Sequence, residues 1–486
     1  MKRIIKIICA LVIIVGGIGV YKNFIPIKQT IVSSPYKLKL DQNKFVSKEA
    51  ISWKLDNGLT VYYYFDDQVP IIDGSLLIAG GSLFDPLDKI GLANAFGSQI
   101  REGGTESFAP DELDKHLDYL GAKIESNFGT DYGSISFRTL TDDIDEVFQT
   151  FSEVVLKPRF DPQRLKLWQG IASDSIERRK DDPDTMARII FSGIVYGDNN
   201  VYGKTSTKQS INTITQNDLI NFHKQFVLPQ NAYLAISGSI SVDKIKDLVG
   251  KYFNSWGEQQ ELSSTQMKLP DIKSNYKPGV YVLNRDFVQA NILIGHLGPA
   301  RVTEDMIAIH VYNKIFGLSG FDSILFNEIR TKAGLAYSVR GGLIGAAKQG
   351  VFQISLGTKS ENAITAVKKI IEILNTYPEF SLESITSAKK SLAQAFVFKF
   401  ENAKELPLRQ ATLDLLEFPK DYDRNYLKNL DAVTPADVSN VRKHWIKNDS
   451  IYIVIVGKVS ISDIKQQLGE KFNYYEVDFD EYAKIH

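Results

Sequence analysis

Few side chains in this 486-residue sequence are soft metal ligands, and they are scattered. The six histidines are His116, His223, His296, His310, His444 and His486, and no two share a helical turn. The single cysteine, Cys9, lies inside an apolar N-terminal run, which excludes an intrachain disulfide and a zinc site built mainly from cysteine. Glu102 and Glu106 flank Gly103-Gly104 and have the residue types of paired catalytic carboxylates, yet acids around a Gly-Gly pair read first as a solvated turn. Two donors, Arg330 and Tyr337, have a more defined setting. Asp322 can cap a helix running to about Lys332, Gly334 takes the position that ends it, and Leu335 to Val339 starts a strand. Arg330 then sits in the last helical turn and Tyr337 early in the strand, near one corner. A guanidinium and a phenol both donate to oxygen with fixed geometry. The plainer reading is an arginine that caps helix carbonyls and a tyrosine that packs.

The elements that must position these residues come from an internal repeat. Residues 215–253 align without a gap on residues 434–472 at a constant offset of 219, with twelve identities that include Asp218/Asp437, Gly238/Gly457, Ile245/Ile464 and Phe253/Phe472. In each copy a threonine, Thr215 or Thr434, is placed to cap a helix. A β-rich run comes next, Tyr233 to Ser237 or Ile451 to Val456, ends at a glycine and gives way to an amphipathic helix. The expected fold class is α+β, with two homologous domains, each a mostly antiparallel sheet covered by helices. Polar, irregular residues 258–277 suit a linker between a domain at 46–257 and a second at 278–476. Asn57-Gly58 is a turn signal, and Leu59 to Phe65 with Ile71 to Gly80 predict a hairpin-like start to the first sheet. Gly74 to Gly81 fits a core strand or, at an exposed edge, a partner for an extended peptide.

The segment Gly91 to Thr105, GLANAFGSQIREGGT, resembles the zinc helix of pitrilysin/insulinase-type metallopeptidases, whose inverted motif H-x-x-E-H comes after a G-L-A. Asn94 stands at the first histidine, Gly97 at the glutamate and Ser98 at the second histidine. A further glutamate ligand of the family, on a later helix before a D-D-P-like stretch, corresponds to Ser175 ahead of Asp181-Asp182-Pro183, and Glu177 is two residues out of place. Asn and Ser oxygens are poor Zn²⁺ ligands and Gly97 offers no base. The resemblance therefore implies no metal and no catalytic residue in this chain. Phe316 to Val339 is similar to the family's C-terminal signature, in which an Arg and a Tyr seven residues later bind substrate carbonyl oxygens; those residues are Arg330 and Tyr337. What this implies is a non-catalytic, substrate-binding subunit of a heterodimeric peptidase that acts on unfolded peptides. Zinc is expected in a sibling subunit that carries the intact motif. The alternatives are a structural core-type subunit and a standalone peptide-binding or chaperone-like module.

The N-terminus reads as an address. Lys2, Arg3 and Lys6 precede the apolar stretch Ile7 to Val20, which fits a signal or an uncleaved membrane anchor within 1–25, with a polar tether after it at 26–45. The expected location is the periplasm, or the inner membrane facing it, with the membrane reached through this segment. A formal net charge of −1 supplies no basic field, so nucleic acid is not an expected partner.

Overall fold

The computed structural model describes residue 45 and residues 47–257, 272–376 and 379–485. The expected signal or anchor at 1–25, all but the last residue of the expected tether and most of the expected linker lie outside the described residues. Among the described residues, no helix is long and apolar enough to cross a membrane.

Twelve strands form two six-stranded sheets within these residues. In the first, β1 (Ile51–Lys54), β2 (Thr60–Phe65), β3 (Ile71–Ala79), β4 (Lys123–Phe128), β5 (Tyr132–Leu140) and β6 (Ala232–Gly238) lie in the order β1-β2-β6-β3-β5-β4. In the second, β7 (Gly279–Asn284), β8 (Gln289–Leu297), β9 (Ser338–Ile344), β10 (Val351–Lys359), β11 (Tyr452–Gly457) and β12 (Tyr474–Glu476) lie in the order β12-β7-β11-β8-β10-β9. Five strands of each sheet repeat one topology: β2 pairs parallel with β6 and β7 parallel with β11, and the strands from there to β4 or β9 are antiparallel; the sixth strand differs, β1 being antiparallel to β2 and β12 parallel to β7. The α+β reading and the two mostly antiparallel sheets hold.

The repeat seen in the sequence is repeated in detail. Thr215 and Thr434 each cap a helix (Gln216–Phe226 and Pro435–Trp445), accepting from the amides of Asp218 and Asp437 while those carboxylates accept in return. Ser241 and Ser460, again 219 apart, cap the helices that come after β6 and β11.

One expectation changes, and of two open readings of Gly74 to Gly81 the core strand is the one found. The residues of β2 and β3 do not form a hairpin, because β6 lies between them; β6 is an apolar run buried along nearly all its length, and such a strand belongs in the middle of a sheet. The turn at Asn57-Gly58, with Gly58 at φ 103°, joins β1 to β2 instead. Nor is Gly74 to Gly81 at an edge. It lies largely in β3, flanked by β6 and β5, and the Phe137 ring fills the space over Gly74.

Helices cover both faces of the first sheet. Four helices hold the two sheets together or carry the candidate site: α1 (Leu92–Glu102), α2 (Pro162–Glu177), α3 (Pro183–Tyr196) and α4 (Glu405–Leu415). Helix α3 packs on β8 and β11 of the second sheet, and its Met186, Ile190, Phe191 and Ile194 join Tyr281, Leu293 and Val454 in one core. Reciprocally, α4 packs on β2, β3 and β6, with Ala411 against Tyr62, Leu77 and Ala235. Alternation explains the fit, since Val61 and Tyr63 face the main core of the first sheet while Tyr62 faces α4. Burying the four large side chains of α3 stabilises by on the order of 6–12 kcal/mol relative to exposure, comparable with the whole stability of a domain. The two sheets are therefore locked together by exchanged helices.

Candidate functional site

Helix α1 carries the positions where zinc ligands would stand. It starts at Gly91 in the left-handed region (φ 107°), and its first amides are held by the buried carboxylate of Asp85, which accepts from Gly91 N (2.8 Å) and Ala93 N (2.9 Å). Burial pushes the Asp85 carboxyl up to about 6 although these amides favour its charge. Asn94 is exposed, Ser98 is half-buried and Gly97 is buried against β4. A side chain at 97 has no room: its Cβ would lie 2.7 Å from Phe128 N and 3.1 Å from Phe128 Cβ. The contact is drawn tighter by Ser126 Oγ, which donates to the Gly97 carbonyl (2.5 Å). Ser98 donates to Glu102 one turn on (2.5 Å), so that carboxylate is engaged locally, and Glu106 lies exposed beyond the Gly103-Gly104 bend.

Ser175 is exposed on α2, which packs beside α1. Glu177 ion-pairs with Lys180 (2.8 Å) and with Lys208, and these lysines lower its carboxyl to about 2. The Asp181-Asp182-Pro183 stretch serves the fold, because Asp182 accepts from the Asp184 and Thr185 amides and caps α3, with Pro183 in the first turn. Among the described residues, no three His, Cys, Asp or Glu side chains are grouped to hold a metal ion. Zinc does not fit here: an asparagine, two serines and a glycine pressed on a strand replace the ligands and base.

The second pair of expected site residues is placed differently. Phe326–Lys332 is a π-helical segment, a form found often at functional sites. Ser323 Oγ accepts from the Phe326 amide (3.4 Å) at its start, whereas Asp322 closes a preceding 3₁₀ turn. Gly334, at φ 63°, ends the helix as expected. Arg330 is exposed in the last turn, its guanidinium 4.8 Å from the Phe326 ring centroid. Tyr337, 56% exposed, directly precedes β9, and its amide donates to Gly357 (3.0 Å). The two side chains stand at either end of one short turn, and Tyr337 is not packed in a core.

Sequence reasoning missed how one outer strand of each sheet, β4 and β9, is covered. The Gly129 amide donates to Tyr132 (3.0 Å) in the β4–β5 turn, so by alternation the backbone groups of Ile124, Ser126 and Phe128 point away from β5. Arg101 Nε takes the Ile124 carbonyl (3.1 Å), and Gly97 lies against Phe128. At the other edge the Asn313 amide pairs with both backbone groups of Leu343 (2.8 Å each), and a Cβ at Gly317 would lie 2.5 Å from the Gly341 oxygen. In each half a glycine and a polar side chain of one helix seal an outer strand. What remains beside β4 is an open, polar cavity of about 630 Å³ lined by Ser98, Arg101, Glu102 and Glu125 to Asn127. The signals were present only as a glycine inside each helix, which does not by itself name its neighbour.

Comparison with known proteins decides the family. Residues 66–201 match the insulinase domain of peptidase family M16, and residues 213–392 match the peptidase M16 inactive domain. The chain belongs to the M16 peptidase family. An uncharacterized zinc protease of Rickettsia felis is 24% identical over 348 residues, which span 70% of this chain and 81% of that protein. The non-peptidase homolog YmxG of Helicobacter pylori is 23% identical over 399 residues, spanning 78% of this chain and 87% of that one. The crystal structure of a peptidase M16 inactive domain from Pseudomonas fluorescens shares the fold, with a TM-score of 0.75 at 22% identity over 85% of this chain and 98% of that chain. With the residues at 94, 97, 98 and 175 unable to assemble a zinc site, the chain is an inactive-type M16 relative.

Proposed function

We propose that this M16 chain is the non-catalytic, substrate-binding subunit of a heterodimeric zinc metallopeptidase that acts on unfolded peptides in the cell envelope. The observation that carries the reading is the contrast between the two halves. On α1 the catalytic positions are filled by residues that cannot bind zinc, and the helix is pressed onto β4. At the turn before β9, Arg330 and Tyr337 are exposed and present two oxygen-seeking donors to solvent. In this proposal a sibling subunit supplies zinc and the general base, and Arg330 and Tyr337 hold carbonyl oxygens of the peptide lying across the two chains. The donors add no bond-making step of their own; they fix the peptide backbone and favour charge that develops on a carbonyl oxygen. Export, through the N-terminal segment, belongs to the same proposal.

The test is reconstitution with an M16 sibling bearing an intact H-x-x-E-H, encoded beside this chain. The two should co-purify, and cleavage of an unfolded peptide should require both. Tyr337→Phe should then reduce turnover about tenfold or more with unchanged thermal stability. Full activity of the sibling alone, or unchanged turnover with Tyr337→Phe, would reject the proposal.

A further inference from the structure

The residues beside Arg330 indicate which peptides it would take, an inference that rests on the carbonyl-binding role just proposed. Phe321 is 75% exposed, on the 3₁₀ turn Gly320–Asp322 between two π-helical segments, Lys314–Leu318 and Phe326–Lys332. Its ring meets that of Phe326 edge-on, with centroids 4.8 Å apart and planes at 65°. On Phe326 also rests the guanidinium of Arg330, again 4.8 Å from the centroid. Phe326 itself is buried, and Leu318 is 48% exposed at the end of the preceding segment.

This order of groups has two physical consequences. The Phe326 ring holds the guanidinium by cation–π attraction, so less side-chain entropy is lost when Arg330 grips an oxygen. Because Phe321 and Arg330 both contact one ring, Phe321 and the guanidinium lie within about 10 Å of each other. An extended peptide advances about 3.3 Å per residue. A side chain on the residue whose carbonyl Arg330 holds, or on the residue two along on the same face, therefore reaches Phe321. Burial of that side chain against an exposed phenyl ring favours aromatic and large aliphatic residues over small polar ones.

We infer that Phe321 is a specificity-determining residue, selecting unfolded peptide segments that carry an aromatic or large apolar side chain next to the carbonyl held by Arg330. Loss of one aromatic pair and its buried area corresponds to about a tenfold change in affinity.

The experiment measures binding of two labelled, unfolded peptides to the full chain by fluorescence anisotropy. They are identical except that phenylalanines at alternate positions in one are serines in the other. The unmodified chain should prefer the phenylalanine peptide about tenfold or more. Phe321→Ser should reduce that preference to below about threefold while leaving the serine peptide's affinity in place, and Phe321→Tyr should restore it. An unchanged preference, or equal weakening of both peptides by Phe321→Ser, overturns the inference. Arg330→Ala and Tyr337→Phe, tested in parallel, should weaken both peptides equally. If those two variants leave both affinities unchanged, the carbonyl-binding reading itself falls, and no measurable binding of either peptide overturns both.

Discussion

Gly97 offers the sharpest test of whether β4 leaves room for a catalytic side chain on α1, because a glycine inside a helix ordinarily weakens it. Replacing Gly by Ala at an exposed helical site stabilises by about 0.5–1 kcal/mol, as the unfolded chain then has less backbone freedom to lose. Gly170, in the middle of α2 with nothing within 4 Å of its would-be Cβ, is such a site. At Gly97 the same methyl would meet Phe128 N at 2.7 Å and Phe128 Cβ at 3.1 Å, on a strand held by its ladder to β5. Neither atom is the far end of a flexible side chain, so α1 or β4 must move. Overpacking of this kind costs about 1–3 kcal/mol, which outweighs the helix gain.

Urea unfolding followed by far-UV circular dichroism should therefore show Gly170→Ala slightly more stable than the parent and Gly97→Ala less stable by about 1–2 kcal/mol, with similar slopes. The extension to chemistry is the quadruple change Asn94→His, Gly97→Glu, Ser98→His and Ser175→Glu. It supplies every missing residue type, yet it should not yield stoichiometric zinc in metal analysis of the dialysed protein, since a glutamate at 97 clashes with β4 and so displaces the helix that carries both histidines. Equal stabilisation by both alanines, or a tight zinc ion in the quadruple variant, would refute the claim that β4 blocks the site.

Other predictions concern pH and the exchanged helix. Burial lowers His310 to about 4 from an ordinary 6.5, so its contribution to stability is present above pH 6.5 and is lost as pH falls through 4; His310→Gln should flatten an acid decline worth about 3 kcal/mol in denaturation midpoints. Asp85 has the opposite sign. With its carboxyl raised from 3.8 to about 6 by burial, the stability it adds is complete below 3.8 and lost as pH rises through 6, and Asp85→Asn should remove that slope in the same assay. Asp182→Ala removes the cap of α3 and should destabilise by about 1 kcal/mol, with faster amide exchange in the first turn of that helix.

How much of this was legible in the sequence depends on whether the deciding contact was local. The repeat, its threonine and serine caps and the glycine that ends the Arg330 helix could be read, because capping is settled within four residues. The absence of zinc ligands could be read from residue types alone. Strand order could not: β6 enters between β2 and β3 after more than 150 intervening residues, and only its two-sided burial marks it as central. The exchange of α3 and α4 was invisible for the same reason, since an amphipathic stripe states that a face is buried and not which sheet buries it. Asp85 was missed because it holds α1 from six residues ahead, outside the usual capping spacing.

The packing at Gly97 bears on the fold as well as on the missing zinc site. A glutamate at 97 and the present approach of Phe128 are mutually exclusive. The second half has the same arrangement at Gly317 and Gly341, reinforced by Asn313 on Leu343. Closure of the outer strands thus serves the fold in both halves, and by itself it would account for a scaffold with no function of its own. It does not account for the turn before β9. Arg330 is exposed and fixed over Phe326, Phe321 is three-quarters exposed, and Tyr337 stands in solvent although it directly precedes a strand. None of these side chains is needed to seal an edge or fill a core, and large exposed aromatics beside a charge are a feature of binding surfaces. The part of the molecule that the fold does not require is therefore the part to which a peptide-binding role is assigned.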